Sequence, residues 1–225
     1  MSPSPPSGQR WTDAAVATYD AVMRDVWNHP ANEQRPAIRR WLMSNAARGE
    51  EIIDIGAGDA YYIDDLQPKA YVAVEPNSLL QERTRQAAAQ TGVTCVLFSS
   101  VTELLGTRAI DHCGLVLMIH VLLYLAPGEA TALLTRIRAT GITLLMVHPD
   151  PDRSVSVAFE REHGFDRSAK LLQIKLDTLG PPRKQTRVES HFVLPADFAP
   201  PDLAFLVSHH VLDGTLNLNP AIRRR

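Results

Sequence analysis

At 225 residues, with 45% hydrophobic and 21% charged side chains and a formal net charge of −2, the chain has the material for one sizeable buried core. That near-balance excludes the broad basic face on which nucleic-acid binding rests, because the only basic run is the terminal Arg223-Arg224-Arg225. Two cysteines inside apolar runs, Cys95 and Cys113, make neither a disulfide framework nor a zinc site, no histidine spacing suggests a metal, and no apolar run reaches membrane-spanning length.

Residues 1–10 are polar and proline-rich and read as a disordered tail; they lack the apolar stretch of a signal peptide, so the expected location is cytoplasmic. Residues 11–225 read as a single domain. Its first part, residues 11–48, is a helical cover: Thr12 is placed to cap a helix over Asp13 to Trp27, and a second helix over Glu33 to Ala47 turns Ile38, Trp41 and Leu42 to one face.

Residues 49–149 alternate strands with helices. The strands are expected over Glu51 to Ile55, Tyr71 to Val74, Val93 to Phe98, Cys113 to Ile119 and Ile142 to Val147. Between them fall helices over Asp59 to Leu66, Asn77 to Gln90, Val101 to Leu105 and Pro127 to Ala139. Several strands are continuous apolar runs, as in a parallel sheet covered by helices on both faces. The alternation gives an α/β fold of the Rossmann-like, doubly wound kind. In residues 150–220 the pattern changes to helices over Ser154 to Glu162 and Asp166 to Leu179, then strands over Gln185 to Leu194 and Leu203 to Leu212.

Ligands of such a sheet bind beyond the carboxyl ends of its strands. The first strand ends in Asp54-Ile55-Gly56-Ala57-Gly58-Asp59-Ala60, and the second in Val74-Glu75-Pro76. Glycines at 56 and 58 let the backbone turn sharply and lie against a ligand. Glu75 is placed to accept both hydroxyls of a ribose. A dinucleotide fingerprint requires a third glycine at the sixth position of the motif; Tyr61 stands there, which disfavours a dinucleotide.

These residues resemble the first motif of class I S-adenosylmethionine-dependent methyltransferases. Asp54, Gly56, Gly58 and Glu75 match it, and Ala60 stands where a further glycine is usual. The segment Leu115 to Leu125, with Met118-Ile119-His120 at its centre, is similar to the fourth motif of small-molecule members such as the histamine N-methyltransferase family. The resemblance implies a seven-stranded, mostly parallel sheet ending in an antiparallel strand pair. It also implies S-adenosyl-L-methionine as cofactor, lying along Asp54, Gly56, Gly58, Ala60, Glu75 and Pro76. Ser99 and Ser100 would meet the adenine edge, Met118 and Ile119 would pack near the cofactor, and Tyr19 would close over its methionine carboxylate. Residues 49–149 are then the cofactor-binding core, and residues 150–220 the acceptor-side helices and closing strands.

Methyl transfer needs a nucleophile with a free lone pair held in line with the methyl. His120, at the end of the fourth strand, and His148, at the end of the fifth, are the candidate bases. Tyr61, Tyr62, Trp11 and Trp27 are candidates to line an acceptor pocket. The expectation is transfer to a nitrogen of a small-molecule metabolite by a monomer or homodimer, with no nucleic acid and no membrane as partner. An O-methyltransferase using His120 or His148 is the nearest rival; an NAD(P)-binding oxidoreductase and a catalytically silent binding protein are rivals of other classes.

Overall fold

The computed structural model describes Val16, Ala17, Asp20 and residues 34–46, 48–122, 124–149, 173, 176–180, 186–189 and 215–221. Its elements are α1 (Gln34–Asn45), β1 (Glu51–Ile55), α2 (Ile63–Leu66), β2 (Ala70–Val74), α3 (Ser78–Thr91), β3 (Thr94–Phe98) and α4 (Val101–Leu105). They are followed by α5 (Ala109–His112), β4 (Leu115–Ile119), α6 (Pro127–Thr140), β5 (Thr143–Pro149), β6 (Thr186–Glu189) and β7 (Thr215–Ala221). The strands form one sheet in the order β3-β2-β1-β4-β5-β7-β6. Strands β1 to β5 pair in parallel, whereas β7 runs antiparallel to both β5 and β6.

Apolar residues fill both faces of this sheet, because alternate side chains of a strand point to opposite sides. On one face Ile53, Ile55, Val116, Met118, Leu144 and Met146 pack with Val101 and Leu104 of α4, Ile110 of α5 and Leu133, Leu134 and Ile137 of α6. On the other, Ile52, Tyr71, Ala73, Leu115, Leu117, Leu145 and Val147 pack with Ile38, Trp41 and Leu42 of α1, Ile63 and Leu66 of α2 and Ala88 of α3. Burial on both sides is why these strands are continuous apolar runs.

Local chemistry sets the helix ends. The Asn77 side chain accepts hydrogen bonds from the Leu79 and Leu80 N–H groups and so starts α3 directly behind Glu75. Pro127 opens α6, where a missing N–H costs nothing, and Gly141 ends it in the left-handed conformation.

Three elements depart from the sequence reading. The helix expected over Asp59 to Leu66 contracts to Ile63–Leu66, because Gly58 and Ala60 adopt left-handed φ angles of 57° and 53° and carry the chain through turns first. Helix α5 is four residues long, too short for a periodic pattern. Strand β7 lies at Thr215–Ala221, beyond the strand expected over residues 203–212, which fall outside the described residues. Residues 154–162 also lie outside them, as do most of 13–27 and 166–179, of which Val16, Ala17, Asp20, Gln173 and Leu176 to Leu179 are helical.

Candidate functional site

The order of the strands fixes where a ligand can bind. From β1 the chain moves outward to β2 and β3, then returns to place β4 on the other side of β1, so the connections diverge between β1 and β4. A crevice opens beyond the strands at such a point. Here it is a cavity of about 270 Å³.

One wall is the loop after β1. Gly56 and Ala57 donate backbone N–H bonds to the Val74 carbonyl, which folds the loop over the end of β2. A side chain at Gly56 would place its Cβ 2.5 Å from Val121 Cγ2, so glycine is what lets the loops after β1 and β4 meet. At Gly58 a Cβ would meet nothing within 4 Å; the backbone there faces open space. The Thr84 hydroxyl of α3, wholly buried, donates to the Gly58 carbonyl at 2.7 Å and pins the loop from behind.

Glu75 ends β2 and is 4% exposed. Its Oε2 accepts the Gly58 N–H at 3.0 Å and its Oε1 the Asn77 N–H at 2.9 Å. Burial raises its pKa, and these two N–H groups oppose the rise. Each carboxylate oxygen can accept more than one hydrogen bond, so acceptor capacity remains toward the cavity. Asp54, 8% exposed, accepts the buried Tyr71 hydroxyl at 2.5 Å. Its pKa is pushed up to about 6, chiefly by burial; the Tyr71 bond pulls it down, while Glu75 and Asp59 push it up.

The end of the cavity near β3 is formed by Pro76, Leu80, Ser99, Ser100 and Val101. The hydroxyls of the two serines have local duties: Ser100 caps α4 by accepting the Glu103 N–H, and Ser99 accepts from Gln81 Nε2. Leu125 and Glu129 also line the cavity, and α6 packs against α4. The Glu129 Oε2 accepts the Ala126 N–H at 3.3 Å.

Toward α1 the wall is Arg35, Tyr61 and Tyr62. The Arg35 guanidinium lies 3.5 Å from the centre of the Tyr61 ring, and that ring meets Tyr62 edge-on at 4.9 Å. The Tyr62 hydroxyl is buried and has no hydrogen-bond partner among the described residues. Burial also raises its pKa, so it stays a neutral O–H donor.

Ile119, His120, Val121 and Tyr124 complete the cavity after β4. His120 has a left-handed φ of 57°, and its N–H donates to the Val147 carbonyl. The structure thus brings together Asp54, Gly56, Gly58, Glu75, Pro76, Ser99, Ser100, Ile119 and His120 around one space. Met118 is wholly buried in the core on the α4–α6 face, Ala60 packs among Ile63 and Leu66 below the loop, and His148 is buried in β5; none of the three is on the cavity wall. Tyr19, Trp11 and Trp27 lie outside the described residues. Arg35 and Glu129 are the charged cavity residues that sequence reasoning missed, along with the apolar Leu80 and Val101. Each of the charged two sits on a helix, where a single charge looks like part of a solvated face, and only the burial of Arg35 at 5% exposure marks it.

No protein-family model and no curated protein matches the sequence. Solved structures do match its fold. A putative methyltransferase in complex with the Haloferax volcanii Trm112 methyltransferase activator superposes with a TM-score of 0.56 at 14% identity, over 99% of this chain and 100% of that one. The N-methyltransferase NodS from Bradyrhizobium japonicum WM9 gives 0.54 at 13% identity, over 88% and 99%. Geranyl diphosphate C-methyltransferase from Streptomyces coelicolor A3(2), in complex with Mg2+, geranyl diphosphate and S-adenosyl-L-homocysteine, gives 0.52 at 12% identity, over 96% and 86%. At these identities the likeness establishes an α/β, Rossmann-like fold with a parallel five-stranded sheet, one that methyltransferases share.

Proposed function

We propose that this chain is an S-adenosyl-L-methionine-dependent methyltransferase that acts on a nitrogen of a small-molecule metabolite. The observation that carries the reading is Glu75, buried at the end of β2 and locked by the Gly58 N–H beside a glycine backbone that faces open space. Support also comes from the sheet order, with β7 reversed between β5 and β6, and from the methyltransferases that share the fold.

The residues present fit the cofactor. The open space at Gly58 admits a nucleoside against the backbone, Glu75 accepts its ribose hydroxyls, and Pro76, Leu80 and Val101 bound the space for a flat base. Glu129 is a further carboxylate on the cavity wall. Arg35, held over Tyr61, and the Tyr62 hydroxyl are donors suited to the methionine carboxylate, and Asp54 is suited to its ammonium. Once bound, the cofactor supplies an electrophilic methyl on a sulfonium.

His120 faces the same space from β4. In its neutral form the ring holds, or accepts, the proton of the acceptor nitrogen, which leaves the lone pair directed at the methyl. The walls hold the two reactants in line, and that positioning is the main contribution a protein makes to this reaction. A small acceptor is favoured over nucleic acid by the net charge of −2 and by the carboxylates on the cavity wall.

Calorimetry with S-adenosylmethionine and S-adenosylhomocysteine tests the reading: micromolar binding of both is expected, and Glu75→Ala should abolish it. Absence of binding by the unmodified protein overturns it, and binding of a nicotinamide dinucleotide in its place establishes the oxidoreductase rival. An acceptor screen with labelled cofactor, read by product mass, separates nitrogen from oxygen transfer, and turnover on no acceptor is the outcome for a silent binding protein.

A further inference from the structure

Tyr71 is among the largest wholly buried side chains, at 2% exposure. It lies in β2 two residues before Ala73, which is the register partner of Asp54 in β1. Side chains two apart on a strand share a face, so the ring reaches diagonally across the pair and its hydroxyl donates to Asp54 Oδ2. Phenylalanine would fill the same space among Ile52, Ala73 and Ala88 without burying a polar atom. The hydroxyl therefore has one use among the described residues, and that is Asp54.

We propose that Tyr71 is a positioning residue that keeps the Asp54 carboxylate ionised and aimed into the cavity, where it pairs with a cationic group of the ligand. This rests on the reading that Asp54 meets the cofactor's ammonium. The groups around Asp54 show why such help is needed. Glu75 from the end of β2 and Asp59 from the loop after β1 both oppose its negative charge. Arg35 from α1 and His120 from the end of β4 are the basic side chains on the same cavity wall. A hydrogen bond to the ionised form is the contribution that offsets burial, and Tyr71 makes it from beneath the cavity, touching no ligand itself.

The test compares unmodified protein, Tyr71→Phe, Asp54→Asn and the double variant. In ligand-free protein the Asp54 carboxyl carbon is titrated by NMR, and S-adenosylhomocysteine binding is measured by calorimetry at pH 6 and pH 8. Tyr71→Phe should raise the Asp54 midpoint by about one unit. Affinity should then fall about five-fold at pH 6 and stay within about two-fold at pH 8. In the Asp54→Asn background, Tyr71→Phe should change nothing further. An unchanged carboxyl midpoint, or an equal loss of affinity in both backgrounds, overturns the proposal. If the unmodified protein binds no S-adenosylhomocysteine, the methyltransferase reading fails on its own, and the carboxyl titration still decides whether Tyr71 sets the charge on Asp54.

Discussion

Asp54 is held at a cost in stability that its neighbours offset only in part. Its pKa rises from 3.8 to about 6 on folding, so between those values the folded chain binds more protons than the unfolded chain. Stability therefore falls as pH rises through that window, and above it the penalty is constant, at most ~3 kcal/mol. Asp54→Asn should be more stable than the unmodified protein at pH 7 by about 1–3 kcal/mol, and the gap should close toward pH 4, as read by urea denaturation. A variant equally destabilised at both pH values would contradict this. At this scale the sequence was legible where residue type and spacing coincide, as in Asp54, Gly56, Gly58 and Glu75. It was silent on Tyr71, Arg35 and Glu129, because their roles come from contacts across the sheet or between helices and strand ends, and no local pattern encodes them.

The crossing of the loops after β1 and β4 is the element on which the site depends. Gly56 combines a left-handed φ of 72° with a Cβ position 2.5 Å from Val121 Cγ2 and 2.9 Å from Val121 Cβ. The obstructing atoms are the root of a branched side chain, which cannot swing aside. Gly56→Ala should thus cost about 2–4 kcal/mol of stability, through strain and overpacking together, and should weaken cofactor binding by pushing the loops apart. Equilibrium unfolding with ligand titration checks both effects; full stability in the variant would show that the loops yield. Strands β1, β2, β4 and β5 were readable because burial makes each a short apolar run, and β3 because Cys95 to Phe98 is apolar although the strand lies at the sheet edge. The start of α2 was not, since Ala60 adopts a backbone conformation that its side chain gives no reason to expect. Neither was β7, because Thr215, Asn217 and Asn219 alternate with Leu216 and Leu218 and break the continuous apolar signal of the central strands.

At the scale of the whole molecule, the cavity draws on loops from both halves of the sheet, from Pro76 and Ser99 on one side to Val121 and Leu125 on the other. A ligand there bridges segments that must separate when the chain unfolds, so binding and global stability are linked. S-adenosylhomocysteine at about a hundred times its dissociation constant should add ~2.7 kcal/mol, which in a chain of this length is a rise in Tm of roughly 5–10 °C. Differential scanning fluorimetry reads this directly. An unchanged Tm at saturating ligand would mean that the site is not coupled to the fold as described.

The backbone at His120 carries a last implication. Glycine would occupy a φ of 57° without strain, whereas a residue with a Cβ gives up about 1–2 kcal/mol there. Histidine is among the few non-glycine residues that visit this region at all. An alanine at 120 would remove the ring and keep the strain, so lost activity in that variant would confound two causes. Glycine and asparagine are the informative replacements: glycine removes both strain and ring, and asparagine retains a polar side chain in a tolerated conformation. The difference between their turnover rates isolates what a side chain at this turn contributes to chemistry, separate from what it costs the fold.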